Sequence, residues 1–294
     1  MEETTKGRII KLSGGFYFVD APEGVLMTRA RGKFRKNGFS PMVGDIATVQ
    51  KTEEGEGFLL SVDERKNFLI RPSVANIDLL FMVVSVKSPY PNLGVIDRLL
   101  AVAAHKHIEC AVIITKADLD EESAGNIAKI YRKAGYQTFV TGEGRRNREE
   151  LASLIDDKLC VFAGNTGAGK STLLNFLDDT LGLATGEISE KLGRGRHTTR
   201  TVEIFPVLGG FMADTPGFSS LETLKLERIR KEELEDCFIE FAPYIGSCQF
   251  TGCAHVKEKG CAVLKALEEG KISKSRHDSY CMMYEEAKEI KDWE

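Results

Sequence analysis

Hydrophobic and polar positions change rhythm twice along the chain. Through the first 65 or so residues the apolar positions fall in short runs split by glycine turns. GRIIKL (7–12), FYFVD (16–20), GVLMTRA (24–30), GDIATVQ (44–50) and GFLLSVD (57–63) are five β-like runs. Five short strands in this span predict a small β-barrel over 1–68. From about 75 strand-like and helix-like stretches alternate. IDLLFMVVSV (77–86), CAVIITK (110–116), YQTFVTG (136–142) and KLCVFAG (158–164) read as strands. VIDRLLAVAAHKH (95–107), ESAGNIAKIYRKAG (122–135), REELASLID (148–156) and KSTLLNFLDD (170–179) read as helices. Such alternation predicts an α/β region with a mostly parallel sheet covered on both faces, over 69–225. TVEIFPV and GGFMADT flank a Gly-Gly turn and predict a hairpin. Beyond about 225 the pattern turns helical and charged: LERIRKEELEDCFIEFAPYI (226–245), AVLKALEEG (262–270) and SRHDSYCMMYEEAKEIKDW (275–293) predict a helical region over 226–294.

Composition narrows the class. The 294 residues leave room for two or three domains, and 42% hydrophobic with 29% charged residues fits a soluble globular protein. No apolar run has the length of a bilayer span, and MEETTKGR at the N-terminus has no apolar signal region. The expectation is a cytoplasmic monomer that meets no membrane. A net charge of −4 gives no bulk support for nucleic-acid binding. Locally, RARGKFRKNG (29–38) carries Arg29, Arg31, Lys33, Arg35 and Lys36 with no acid among them. A short basic loop can hold RNA phosphates through local charge neutralisation, but charge alone equally describes a solvated loop. Among five-stranded barrels the oligonucleotide-binding type is the obvious candidate, and pattern alone does not separate it from other small barrels.

The chemistry lies in four short strings. GNTGAGKS (164–171) fits G-x-x-x-x-G-K-[S/T], with a strand before it and a helix after it. Gly164, Asn165, Thr166, Gly167, Ala168 and Gly169 would turn backbone N–H groups onto phosphate oxygens, backed by the helix start at Lys170, Ser171 and Thr172. Lys170 would reach the β- and γ-phosphates of a nucleotide, and Ser171 would ligate Mg²⁺. TKAD (115–118) closes the strand CAVIITK, as a guanine reader of the Asn-Lys-x-Asp type does. The Asp118 carboxylate would accept from guanine N1–H and the N2 amine, which adenine cannot supply. Lys116 would lie along the base, with Ala117 between them. Thr115 stands where the usual Asn would make an amide contact.

DTPG (214–217) closes another strand: Asp214 would hold Mg²⁺ through water, and the Gly217 N–H would sense the γ-phosphate. RHTTR (196–200) lies where a switch loop supplies a threonine to Mg²⁺ and γ-phosphate. Thr198 and Thr199 both qualify, and Thr199 is favoured. The chain order is therefore guanine reader, phosphate cradle, switch one, switch two. Loops at the carboxyl edge of a parallel sheet make such a site whatever their chain order. A circular permutation, old ends joined and new ends opened, accounts for the reversal. Cys248, Cys253, His255 and Cys261 follow C-x4-C-x-H-x5-C, a set that suits one closed, structural Zn²⁺ site; reduced thiols without metal are the alternative. Cys110 and Cys160, in apolar stretches, read as core residues.

TKAD, GNTGAGKS, GRHTTR and DTPG in that order, with VIDRLL ahead of the reader, resemble the bacterial small-ribosomal-subunit-dependent GTPase A family, RsgA. The resemblance runs over nearly the whole chain. It implies a permuted GTPase domain between an oligonucleotide-binding-like barrel and a zinc-binding helical domain. It also implies GTP hydrolysis to GDP and phosphate, stimulated by the small ribosomal subunit and its rRNA during late subunit maturation. Phe218 occupies the place where Ras-like GTPases put a water-orienting Gln. His197, inside the switch-one run, is the best replacement in the sequence, and the resemblance points to the same residue; the catalytic set is then His197, Lys170 and Thr199. The competing readings are a guanine-nucleotide-dependent RNA-binding switch with little hydrolysis of its own, or a P-loop kinase, for which no acceptor site is evident.

Overall fold

The computed structural model describes residues 3–30, 34, 39–52, 56–70, 72–142, 147–178, 202–214 and 227–290. His197, Thr198, Thr199, Gly217 and Phe218 lie outside the described residues, as do Arg31, Lys33, Arg35 and Lys36; for Asp214 only the backbone is described. The described residues form two compact units: those within Met1–Leu79, Glu149–Phe162 and Ser171–Phe218, and those within Leu80–Arg148, Ala163–Lys170 and Ser219–Glu294.

In the first unit the five β-like runs become strands β1 (Thr4–Ser13), β2 (Phe16–Ala21), β3 (Gly24–Ala30), β4 (Ile46–Lys51) and β5 (Glu56–Val62). Their order is β1-β2-β3-β5-β4, and β4 pairs back onto β1, so the barrel closes and leaves no free edge. The pairing of β3 with β5 is parallel and the rest is antiparallel. Ile9, Val19, Ala47, Val49 and Leu59 fill the interior, with Leu12, Tyr17, Leu26, Phe34 and Val62 packed around them. Asp45, fully buried, is held by Arg65 through two hydrogen bonds of 2.7 and 2.9 Å and accepts the Met42 N–H at 2.8 Å, which satisfies this buried acid. A short pair, β6 (Phe68–Leu69) and β7 (Val74–Ala75), follows the barrel.

In the second unit, β8 (Leu79–Ser85) is buried along its whole length, as its unbroken apolar run requires. Helix α1 (Leu93–His105) follows, capped by the Asn92 side chain on the Val95 N–H. Then come β9 (Glu109–Thr115), α2 (Glu121–Lys133, capped by Asp120) and β10 (Gln137–Val140), with the strands ordered β10-β9-β8 and β10 parallel to β9. The chain then enters the first unit at α3 (Arg148–Ser153) and β11 (Leu159–Ala163), passes through the glycine-rich loop, which belongs to the second unit, and returns to the first in α4 (Lys170–Leu177). The expected hairpin forms from β12 (Glu203–Val207) and β13 (Gly210–Asp214). Its two-residue turn is Leu208–Gly209, both at positive φ. Gly210 begins β13 because a Cβ there would stand 1.9 Å from the Ile155 carbonyl oxygen. Within the first unit β13 runs parallel to β11, and β12 pairs with β1 through Lys11 and Glu203.

The C-terminal region departs from its helical expectation in one place. The described part of 226–245 holds two separate 3₁₀ turns, Glu235–Cys237 and Ile239–Phe241, where a long helix is expected. Phe238 (φ −104°, ψ 89°) breaks the run. On one helix Glu235 and Glu240 would stand about 140° apart around the axis. The break lets both carboxylates reach partners inside the fold, described below. Helices α5 (Ala262–Glu268) and α6 (Lys274–Ala287) form as the pattern predicts. No helix among the described residues is long and apolar enough to cross a membrane.

Candidate nucleotide and metal sites

The phosphate loop owes its shape to glycine. Gly164, Gly167 and Gly169 all adopt positive φ. Gly164 (φ 143°) lies so close to β8 that a Cβ would sit 2.2 Å from the Val83 carbonyl oxygen. At φ 143° a side chain would be strained in any case. Ala168 is buried, while Thr166 and Gly167 are exposed at the loop tip. The Lys170 ammonium donates to the Gly164 and Asn165 carbonyl oxygens at 2.7 and 2.9 Å, which brings the charge back over the loop. Ser171 is buried in the first turn of α4 and Thr172 is exposed. Such a loop, with its glycines at positive φ, no room for a Cβ at Gly164 and a lysine folded over it, fits a phosphate group.

The reader lies within the same unit and is joined to the loop by a hydrogen bond. Thr115 ends β9, is almost fully buried, and its Oγ1 donates to the Ala168 carbonyl oxygen at 2.6 Å. Its side chain is also the nearest neighbour of the space beside Gly169. The residue at the place of the usual Asn therefore ties the TKAD turn to the glycine-rich loop. Lys116 adopts the left-handed conformation (φ 58°) and its ammonium donates to the Ser88 carbonyl oxygen. Pro89, next in that loop, is within contact reach of Gly167. Asp118 sits in the 3₁₀ turn Ala117–Leu119 and is exposed.

Two neighbours of the reader went unseen in the sequence. The Thr141 carbonyl oxygen accepts the Ala117 N–H at 3.1 Å, and a Cβ on Gly142 would lie 2.8 Å from Asp118 Oδ1. Their signal was present: YQTFVTG ends at the same sheet edge as CAVIITK, because β10 is parallel to β9. The loop that receives Lys116, just after β8, carried no such signal.

The four predicted metal ligands converge. The ligand atoms of Cys248, Cys253, His255 and Cys261 all lie within 4.8 Å of one another. Cys248 and Cys261 sulfurs are 3.9 Å apart, and His255 Nδ1 is 3.6 and 3.4 Å from them. A tetrahedral ion with Zn–S near 2.3 Å and Zn–N near 2.05 Å implies about 3.8 Å between sulfurs and about 3.5 Å from sulfur to nitrogen. The spacings among Cys248, His255 and Cys261 fit that ion, and Cys253 lies within 4.8 Å of them. The backbone N–H groups of Ala262 and Leu264 point at the sulfurs of Cys248 and Cys261, at 3.3 and 3.4 Å, and would favour thiolates. Without a cation, burial, with the Cys261 and Cys248 sulfurs adding to it, pushes the Cys253 thiol up to about 12, and burial raises Cys261. A divalent cation would reverse that preference. Helix α6 holds the loop from behind: His277 Nε2 meets the His255 carbonyl oxygen at 2.7 Å, and the Tyr280 hydroxyl donates to that of Ala254 at 2.9 Å.

A buried charge cluster binds α6 to α1. Arg276, fully buried, donates to both Glu240 carboxylate oxygens at 2.7 and 3.0 Å and to Asp97 Oδ1 at 2.9 Å. Asp97 also accepts from Ser279 at 2.6 Å and Tyr131 at 3.1 Å. Burial pushes the Asp97 carboxyl above its ordinary range, against the pull of the Arg276 charge. The signal was a lone acid inside the apolar helix stretch VIDRLL.

Of the basic residues in that run only Arg29 is described; it is exposed on β3, with its guanidinium 4.4 Å from the centre of the Phe16 ring.

Known proteins share this architecture. A family model described as RsgA GTPase matches residues 62–224, and one described as RsgA N-terminal domain matches 6–59. A relative from Caldanaerobacter subterraneus subsp. tengcongensis, named small ribosomal subunit biogenesis GTPase RsgA, is 45% identical over 98% of this chain and 97% of its own length. Another of that name, from Streptococcus pneumoniae serotype 4, is 46% identical over 96% of this chain and 94% of its own. Among solved structures, YloQ, described as a circularly permuted GTPase, superposes with a TM-score of 0.80 at 36% identity, covering 98% of this chain and 96% of that one. YjeQ from Thermotoga maritima gives a TM-score of 0.83 at 31% identity, covering 98% and 100%. With the reader ahead of the cradle in the chain and a closed five-stranded barrel in front of both, the chain belongs to the RsgA GTPase family.

Proposed function

We propose that this protein hydrolyses GTP to GDP and phosphate in the biogenesis of the small ribosomal subunit, and that the subunit stimulates the reaction. One observation carries the reading most: the 2.6 Å bond from Thr115 to Ala168 joins a guanine-type reader to a phosphate-type loop. A nucleotide bridging the two would meet Asp118 at its base and Lys170 at its phosphates. The loop N–H groups of Gly164 to Gly169, with Ser171 and Thr172, would surround the phosphate oxygens, and Lys116 would flank the base. Lys170 would stabilise charge that builds on the transferred phosphoryl group. Ser171 and Thr199 would hold Mg²⁺, with Asp214 behind them, and the ion when bound neutralises phosphate charge. Gly217 would sense the γ-phosphate, and His197 would orient the attacking water that Phe218 cannot.

The functional domains in this reading are 1–68, 69–225 and 226–294. The barrel and its basic run, Arg29 to Lys36, would contact rRNA. Cys248, Cys253, His255 and Cys261, whose ligand atoms lie within 4.8 Å of one another, would hold one structural Zn²⁺. The protein would work as a cytoplasmic monomer.

The test is GTP turnover by the full chain, with and without purified small subunits, and with ATP as competitor. Turnover that rises with subunits and ignores ATP is expected. Turnover that subunits leave unchanged would overturn the ribosomal role, and competition by ATP would overturn the guanine reader. His197→Ala should keep GTP binding and lose the stimulated rate.

A further inference from the structure

The 3₁₀ turn Glu235–Cys237 sits between two buried anchors, Leu234 and Phe238. It brings Glu235 Oε2 to 2.6 Å from His255 Nε2. The other nitrogen of that ring, Nδ1, faces the Cys248 and Cys261 sulfurs at 3.6 and 3.4 Å. One imidazole edge thus looks at a carboxylate and the other at the sulfurs. A neutral imidazole carries a single N–H, and its unprotonated nitrogen is the one that can bind a metal. A carboxylate accepts only, so a bond at Nε2 fixes the proton there and leaves the Nδ1 lone pair toward the sulfurs. His255 is 2% exposed, and at that ring edge Glu235 is its partner.

We propose that Glu235 is a positioning residue of the metal site. It sets the His255 tautomer and ring orientation so that Nδ1 becomes the ligand. This rests on the zinc reading above. It adds a fifth residue, 13 positions ahead of the first ligand and outside the C-x4-C-x-H-x5-C string. The expected effect of losing the outer carboxylate is a ten- to hundredfold fall in metal affinity. The Glu235 side chain is 31% exposed, so its removal leaves no buried charge unpaired.

The experiment uses the full chain and zinc alone. Zinc affinity is measured by competition with a chromophoric chelator at fixed pH, for the parent, Glu235→Gln and Glu235→Ala. Nitrogen-resolved NMR of the zinc-loaded chain reads which ring nitrogen of His255 carries the proton. The expected result is one zinc in the parent with Nε2 protonated, and a ten- to hundredfold loss in Glu235→Ala. Glu235→Gln, which keeps an acceptor oxygen, should fall between. If Glu235→Ala does not fold, Glu235→Gln decides by being weaker than the parent. Variants as tight as the parent, or a proton on Nδ1, overturn the role of Glu235 and leave the zinc site standing. A parent that takes up no zinc overturns the metal reading itself and the proposal with it.

Discussion

The phosphate loop and the cysteine–histidine loop are both short strings that the sequence gives away, yet they are built in opposite ways. The phosphate loop works through backbone. Its glycines matter for what they lack, since a Cβ at Gly164 would stand 2.2 Å from a carbonyl oxygen of β8. The cysteine–histidine loop is built of side chains, and its geometry depends on groups far away in sequence. Glu235 reaches His255, while His277 and Tyr280 hold the carbonyls of His255 and Ala254. The first site should therefore fail when an atom is added, and the second when a distant partner is removed.

Four substitutions or conditions sharpen that contrast, from the largest expected effect down. Arg276→Leu strips the charge cluster that fastens α6 to α1 and leaves Asp97 and Glu240 buried without a cation. It should cost about 3–5 kcal/mol of stability by thermal or denaturant unfolding. Replacing Asp97 by Asn and Glu240 by Gln in the same chain should restore much of it, because the stranded charges are the cost. Gly164→Ala should lose roughly 3 kcal/mol and most nucleotide binding, measured with a fluorescent GDP analogue, since clash and φ strain add. A Gly164→Ala chain that folds and binds GDP normally would show that the loop is not shaped by contact with β8.

Thr115→Val keeps shape but leaves the buried Ala168 carbonyl oxygen without its donor. Stability or GDP affinity should drop by about 1–3 kcal/mol, with Thr115→Ser close to the parent. The mildest change is pH. Burial raises the free Cys253 and Cys261 thiols, so ligation must release protons. Zinc affinity should then rise with pH by up to about tenfold per unit for each proton released. Measured by chelator competition between pH 6 and 8, a flat profile would mean that the thiols are already ionised without metal.

Much of the fold was readable because each local signal agreed with the tertiary outcome. The five barrel strands, the alternating region and the hairpin follow from runs whose burial matched their pattern. The chain by itself also marked out the glycine-rich loop, the TKAD turn and the Cys/His quartet as candidate sites, because their chemistry depends on residue type at fixed spacing. The helix expected at 226–245 fails for a tertiary reason. Its apolar spacing was helical, but Glu235 and Glu240 each have a partner that a straight helix could not serve, and the chain breaks at Phe238 between them. Thr115 looked like a weakened reader, and only the fold decided that its hydroxyl holds the phosphate loop. Thr141 and Gly142 join the reader because β10 lies parallel to β9, a pairing no local string encodes. Arg276 meets Asp97 across 179 positions of chain. A sequence read along its length states which groups can ionise or ligate. Which of them are desolvated together, and so must be paired, is set only when distant segments pack.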